Sequence, residues 1–280
     1  PAITTLLLLS LALGTTITIS SSHWLLAWAG LEMNTLAIVP VISKLHHPRA
    51  TEAATKYFLT QATASTLILF SSSINAWKTG QWDISQLSTP ESTIMLTLAL
   101  AMKLGLAPLH FWLPEVLQGS TLPTAMIIVT WQKLAPMALL LLTINSLNHK
   151  TLIILALFST LWGGWAGLNQ TQTRKIMAFS SIAHMGWLFV ALTITSNITL
   201  ITLFIYLLLT LTMFSSLIST TSKTLLDLGT SPHLTTSMLT LMSLGGLPPL
   251  TGFMPKWLIL TTLATNNMIL ISTILALSTL

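Results

Sequence analysis

The chain has 280 residues, of which 52% are hydrophobic and only 6% are charged, and its mean hydropathy is +0.81. Soluble globular domains carry about 25% charged residues, so this composition excludes a water-exposed surface and predicts a protein whose solvent is lipid. The net charge of +5 is too small a surplus to favour a nucleic-acid partner, and the absence of cysteine excludes disulfides and thiolate-bound metals or iron–sulfur clusters.

Charged residues and clusters of Pro, Gly and Asn divide the chain into apolar stretches of about 20 residues, the length that a helix needs to cross a bilayer. In chain order the predicted spans are roughly 2–20, 24–43, 54–76, 92–110, 122–146, 151–170, 175–195, 198–221, 234–254 and 257–280. They are apolar on all sides, which favours helices over the alternating strands of a membrane barrel. We therefore predict an all-α, polytopic transmembrane helical bundle that forms one domain over residues 1–280.

The charges of the loops predict the orientation of the chain. Basic residues cluster on the side of the N-terminus, whereas the opposite loops carry fewer basic residues with acidic residues beside them. The first group comprises Lys44, Arg49, Arg174, Lys175 and Lys223, and the second comprises Lys78 and Lys150 with Asp83 and Glu91. The positive-inside rule then places the N-terminus in the cytoplasm or in its organellar equivalent, the matrix.

Four charged side chains stand out within or beside the predicted spans. Glu32 is in the middle of the second span, Lys103 is in the fourth, Lys133 is at the centre of the fifth, and Lys256 follows a Gly- and Pro-rich run. A charge at the bilayer centre costs about 3 kcal/mol or more, so such residues usually face a polar interior and mark ion paths. Burial disfavours a charged amine, whereas a nearby carboxylate favours it, so a coupled Glu–Lys pair can load and release protons.

Each of these residues also has a structural interpretation that stays open. Lys256 could extend from a helix end toward the membrane surface, and Lys103 and Lys133 could belong to structural ion pairs. Glu32 could be the partner that neutralises Lys103, which is compatible with a relay because a relay needs coupled charges.

His110 and His184 are further titratable candidates, because an unperturbed histidine changes charge near physiological pH. The alternative is that each histidine only packs and forms hydrogen bonds. The sequence contains no Gly-rich nucleotide loop, no metal-ligand cluster and no nucleophile–base pair. Gly163 and Gly167 match the small-xxx-small pattern, which predicts close packing between helices.

Helix-breaking residues accompany two of the lysines. Gly105 and Pro108 follow Lys103, and Pro248, Pro249, Gly252 and Pro255 precede Lys256. If the chain consists of two repeats, about 1–147 and about 150–280, both breaks fall in the fourth helix. Matched interrupted spans are typical of inverted-repeat transporters; the alternative is a coincidence of two Pro-containing helices.

Several stretches resemble a known family. Residues 110–116 (HFWLPEV) are similar to the broken-helix motif of the proton-antiporter-like membrane subunits of respiratory complex I, and residues 175–186 (KIMAFSSIAHMG) are similar to that family's second signature. Residues 24–28 (WLLAW), 52–58 (EAATKYF) and 244–253 (LGGLPPLTGF) resemble the mitochondrial representatives more narrowly. The resemblance covers essentially the whole chain.

The resemblance implies an antiporter-like fold with two inverted five-helix repeats, each with a broken fourth helix. It implies that Glu32 and Lys103 form the pair at which protons enter, that Lys133 is the central relay and that Lys256 is the terminal residue. It also implies a chain shortened by three N-terminal helices relative to the bacterial subunit, in agreement with an N-terminus in the matrix. Because the family continues through another span after Leu280, we expect a C-terminal span, and residues at both ends, to be missing here.

For function, the resemblance implies a core membrane subunit of a proton-translocating NADH:ubiquinone reductase in the mitochondrial inner membrane, without a redox site of its own. NADH, FMN, iron–sulfur clusters and ubiquinone would be bound by other subunits. The expected partners are other membrane subunits, including the neighbouring antiporter-like chain 4 and the small three-helix subunit, and lipids such as cardiolipin. Two alternatives stay open: a cation/proton antiporter subunit that acts without electron transfer, and a structural subunit whose ion pairs only hold helices together.

Overall fold

The structure is a computed structural model and describes residues 2–44, 47–229 and 232–279. Within these residues the regular structure is helical. Two isolated β-bridges are present, and neither extends into a strand. The helices are α1 (Ala2–Ser20), α2 (Trp24–Ser43), α3 (Pro48–Thr79), α4 (Pro90–Leu104), α5 (Trp112–Gly119), α6 (Leu122–Val129), α7 (Leu134–Thr143), α8 (His149–Leu168), α9 (Thr173–Ile194), α10 (Ser196–Thr220), α11 (Leu225–Gly229), α12 (Leu234–Gly245), α13 (Phe253–Thr265) and α14 (Ile269–Ser278). A 3-10 turn, Trp131–Lys133, lies between α6 and α7.

Six segments of the described chain are long and apolar enough to cross a membrane, by length and composition: α1, α2, the segment Leu122–Thr143, α8, α9 and α10. They coincide with six of the predicted spans, and the prediction of an all-α, polytopic membrane protein is confirmed. The third predicted span, 54–76, lies within the 32-residue α3. This helix begins earlier because Pro48 suits its first turn and the His47 side chain accepts a hydrogen bond from the amide of Arg49.

Three predicted spans are interrupted. The fourth, 92–110, stops being helical after Leu104, where Gly105 has a φ of 77°, and the fifth, 122–146, is broken after Val129 and ends at Thr143. The ninth, 234–254, ends as a helix at Gly245, before Gly246 with a φ of 81°. Glycine adopts this left-handed backbone without a steric cost and is typical of helix C-termini.

The tenth predicted span, 257–280, is wrong as a continuous helix. The helix α13 begins at Phe253 and ends at Thr265, and α14 begins only at Ile269. Asn267 has a φ of 59°, a left-handed conformation that asparagine tolerates better than most residues. The helix therefore ends at the asparagine pair 266–267, which the hydropathy pattern does not detect.

The first of two compact units contains Pro1–Gly105, Leu109–Thr124 and Trp131–Thr151. In it α1 packs on α2, α2 packs on α3, and α3 packs on both α4 and α5. A Cβ atom at Gly14 would lie 2.8 Å from the carbonyl oxygen of Gly30, and the reverse distance is also 2.8 Å. Because neither residue has a side chain, the backbones of α1 and α2 approach closely, as is common between membrane helices.

The second unit contains Leu106–Pro108, Ala125–Thr130 and Leu152–Leu280. In it α10 packs on α9, α12 and α13, and α13 also packs on α9 and α14. A Cβ atom at Gly163 would lie 2.7 Å from the amide nitrogen of Ala183. The predicted close packing at this small residue of α8 is therefore confirmed.

Candidate functional site

Lys103 lies in the last turn of α4 and is only 6% exposed. The helix ends at the next residue, Leu104, and the amide of Gly105 donates to the carbonyls of Ala101 and Met102. The Lys103 ammonium is buried and has no hydrogen-bond partner among the described residues. A cation near a helix C-terminus interacts favourably with the helix dipole, which helps to offset the cost of holding this amine inside the protein.

Glu32 lies on α2 in the same unit and is half-buried; one of its carboxylate oxygens is buried and lacks a hydrogen-bond partner within the residues that the structure describes. Its charge interacts electrostatically with Lys103 and with the buried phenol of Tyr57, yet the carboxylate makes no ion pair with Lys103 within 4.0 Å. The structure therefore brings the predicted pair within electrostatic range without neutralising it by direct contact. Opposite charges attract at this range, so the pair is coupled although the two groups are not in contact.

Lys133 is the last residue of the 3-10 turn that interrupts the fifth predicted span, and it is 3% exposed. The residue before it, Gln132, donates from its side-chain amide to the carbonyl of Asn34 on α2, at 3.5 Å. The chain on either side of Lys133 is therefore not a simple apolar helix. The turn places the buried Lys133 amine next to Gln132, whose hydrogen bond to Asn34 connects the turn to α2, the helix that carries Glu32.

Lys256 lies in the first turn of α13, after the second break, and belongs to the second unit. Its ammonium donates to the carbonyls of Gly245, at 2.9 Å, and Leu244, at 3.4 Å, and lies 5.8 Å from the centre of the Trp187 ring. The alternative in which this side chain extends away from the protein toward the membrane surface is therefore wrong. The amine instead satisfies carbonyls at the end of α12, which a broken helix leaves open.

The two lysines beside the breaks are not equivalent. Lys103 precedes its break, and its amine makes no hydrogen bond within the described part of the chain. Lys256 follows its break and bonds the preceding helix end. The sequence already places the two cations on opposite sides of their breaks, and the structure adds this difference in hydrogen bonding.

His184 and Lys256 line the same cavity of about 250 Å³ in the second unit, together with Gly163, Ser180 and Trp187. The His184 ring also lies 5.4 Å from that of Tyr206, whose hydroxyl donates to the carbonyl of Val129 at 3.3 Å. At roughly 30 Å³ per molecule, this volume is enough for several waters. The cavity thus brings a histidine and an amine to one shared space.

His110 lies in the turn between α4 and α5 and is 3% exposed. Its ring centre is 4.5 Å from that of Phe111, and its carbonyl accepts the amide of Leu113 at the start of α5. These contacts support a packing role, and participation of this histidine in proton transfer stays a prediction.

Sequence reasoning did not identify several polar residues around Lys103. Tyr57 and Gln61 lie four residues apart on α3, and Trp112 opens α5; all three are buried. These residues could have been found from the sequence, because a tyrosine and a glutamine one helical turn apart within an apolar span share one face of the helix.

A cluster of charges links α3 to α5. The ammonium of Lys56 lies 2.5 Å from a carboxylate oxygen of Glu52 and 2.7 Å from one of Glu115. All three side chains are exposed, so the cluster belongs to the surface of the unit and not to the buried charges. Across the described part of the chain, no group of three or more His, Asp or Glu residues could hold a metal ion.

Comparisons with known proteins agree with this architecture. Residues 21–280 match the family model described as "NADH:quinone oxidoreductase/Mrp antiporter, TM". NADH-ubiquinone oxidoreductase chain 2 of Struthio camelus is 58% identical over 275 residues, which cover 96% of this chain and 80% of that one. The protein of the same name from Gallus gallus is 58% identical over 271 residues, covering 95% and 78% respectively.

Solved structures show the same similarity. A chain of respiratory complex I from Thermus thermophilus matches with a TM-score of 0.90 and 29% identity, covering 100% of this chain and 67% of that one. A chain of the Mrp complex from Dietzia sp. DQ12-45-1b shares the fold, with a TM-score of 0.83, 16% identity, and coverage of 98% and 57%. The chain therefore belongs to the family of NADH:quinone oxidoreductase and Mrp antiporter transmembrane subunits.

Proposed function

We propose that this chain is the membrane subunit of respiratory complex I that corresponds to chain 2, and that it translocates protons. The observation that carries the proposal is the set of buried charges in a membrane protein, above all Glu32 and Lys103, which interact electrostatically without forming an ion pair. An ion pair that only held helices together would be in direct contact. Two separated, coupled groups are suited to exchanging protons.

The relay would use the amines and the carboxylate in turn. Glu32 and Lys103 would take up the proton, Lys133 would pass it on, and Lys256 would be the last carrier. His184 is a candidate for exchange with Lys256 because both line one cavity, and His110 is a weaker candidate.

The redox chemistry would take place in other subunits, which would bind NADH, FMN, iron–sulfur clusters and ubiquinone. The proposed partners are the other membrane subunits of the complex, including the antiporter-like chain 4 and the small three-helix subunit, and lipids such as cardiolipin. The proposed location is the mitochondrial inner membrane with the N-terminus in the matrix, which the basic residues of the N-terminal-side loops support. We also propose that residues 1–147 and 150–280 are two inverted repeats.

Replacing Lys103 by Ala in the assembled complex tests the proposal. Groups that transfer protons typically contribute 10²-fold or more to a rate. Because Glu32 remains in place as the other member of the pair, we expect proton pumping driven by NADH oxidation to slow by a smaller factor, about tenfold. The measurement is the rate of proton movement and the number of protons moved per electron in sealed vesicles. Lys44→Ala, which removes an exposed amine outside the spans, is the matched control and should pump normally. Unchanged pumping by the Lys103→Ala complex would count against the relay.

A second candidate function is a cation/proton antiporter subunit without electron transfer, which the fold shared with the Mrp complex favours. Purification of the native complex discriminates between the two. A complex I subunit will co-purify with flavin and iron–sulfur proteins, whereas an antiporter subunit will not.

A further inference from the structure

The backbone on both sides of Lys103 is held by side chains from other helices. The indole N–H of Trp112, the first residue of α5, donates to the carbonyl of Met102 at 3.0 Å. The side-chain amide of Gln61, on α3, donates to the carbonyl of Lys103 itself at 3.4 Å. These two carbonyls belong to the peptide groups before and after the Lys103 Cα atom, so the two bonds constrain the direction in which its side chain leaves the helix.

These hydrogen bonds have a physical cause in the break. The last four carbonyls of an α-helix have no partner within the helix, and an unsatisfied carbonyl at membrane depth costs several kcal/mol. At the end of α4 the Gly105 amide reaches the carbonyls of Ala101 and Met102. Trp112 adds a second donor to Met102, and Gln61 supplies the donor for Lys103.

The donors are themselves fixed in place. Both residues are buried, with exposed fractions of 7% for Trp112 and 3% for Gln61. The Trp112 ring meets the Tyr57 ring edge-on, with 5.6 Å between centroids. The α5 helix that begins at Trp112 is held to α3 by the contact between Lys56 and Glu115.

The far end of α5 is held by close packing. A Cβ atom at Gly119 would lie 2.6 Å from both the Cβ atom of Ala53 and the carbonyl oxygen of Arg49. α5 is thus attached to α3 at both its ends, and this attachment determines where the indole of Trp112 points.

We propose that Trp112 and Gln61 are positioning residues for Lys103, which hold its ammonium at the separation from Glu32 that couples the two groups without contact. This role deepens the proposed relay and rests on it. Without the two donors, the last turn of α4 is free to unwind, and the Lys103 side chain leaves its buried position. Because the contact between Lys56 and Glu115 holds α5 to α3, the position of the Lys103 amine also depends on the charged surface cluster of Glu52, Lys56 and Glu115.

Trp112→Phe in the assembled complex is the first test, because it keeps a ring against Tyr57 and removes only the N–H donor. We expect a density map to show the Lys103 ammonium displaced relative to Glu32, and pumping to fall about fivefold, the factor typical of one lost hydrogen bond. Trp24→Phe is the matched control, since Trp24 is equally buried but its N–H has no partner in the described chain. It should leave both the Lys103 position and pumping unchanged.

A double variant separates positioning from general stability. In a complex that already carries Lys103→Ala, Trp112→Phe should cause no further loss of pumping if it acts through Lys103, because residues that act together are not additive. Gln61→Met removes the other donor and should displace Lys103 as well. If the Trp112→Phe complex does not assemble, the Gln61→Met complex decides whether the donors position Lys103. An unmoved Lys103 in both variants, or a fully additive loss of pumping, overturns the proposal. Normal pumping by Lys103→Ala alone would overturn the relay, and the density maps would still decide whether the two residues position this amine.

Discussion

Replacing Lys133 by Met is expected to reduce coupled proton pumping by about 10²-fold while the complex still assembles. Methionine has a similar length and fills an irregular site well, but it cannot carry a proton, and loss of a proton-transfer group typically costs 10²-fold to 10⁴-fold. Assembly should persist because methionine fills the space that the lysine stem occupied. The measurements are the amount of assembled complex on native gels and the proton movement per NADH oxidised in vesicles.

Lys150→Met is the matched control for this experiment. Lys150 is exposed in the first turn of α8, so the same chemical change there should leave pumping intact. Full pumping by the Lys133→Met complex would favour the alternative in which this chain is a structural membrane subunit. A complex that fails to assemble would contradict the expectation that the turn tolerates methionine at this position.

Replacing Gly252 by Ala is expected to prevent assembly of the complex or to destabilise it by about 3 kcal/mol or more, at the upper end of what overpacking costs. A Cβ atom at this position would overlap the carbonyl oxygen of Ser243 and would lie 3.3 Å from Leu209. The carbonyl belongs to backbone and cannot rotate away as a flexible side chain would. The break between α12 and α13 must therefore open, which also moves Lys256 away from Gly245.

The control for that substitution lies in the same break. A Cβ atom at Gly245 would meet no atom within 4 Å, so Gly245→Ala should assemble normally. The comparison uses the melting temperature of the purified complex and its yield from membranes. Equal stability of the two alanine variants would contradict the tight approach of Gly252 to Ser243.

Hydropathy and the position of charges were sufficient to predict most of the helices. α8, α9 and α10 lie within about three residues of their predicted ends, because a bilayer-length apolar stretch bounded by charged or polar residues has few alternatives to a helix. The breaks at Gly105 and Gly246 were also predictable, since glycine and proline act on the backbone locally. The division between α13 and α14 was missed, because residues 257–280 match the length of one crossing even though the polar pair 266–267 lies within them.

The sequence alone likewise indicated which charged residues are buried. It did not indicate which residues surround them. Composition determined that this is a helical membrane protein with Glu32, Lys103, Lys133 and Lys256 as its notable ionisable groups, because each costs too much in lipid to be incidental. Only the tertiary structure decided that Glu32 and Lys103 stand apart, that Lys256 bonds the end of α12, and which donors hold the turn of Lys103. The physical reason is that a broken helix end takes its missing hydrogen bonds from residues far away in the chain, and their identity depends on how the helices pack.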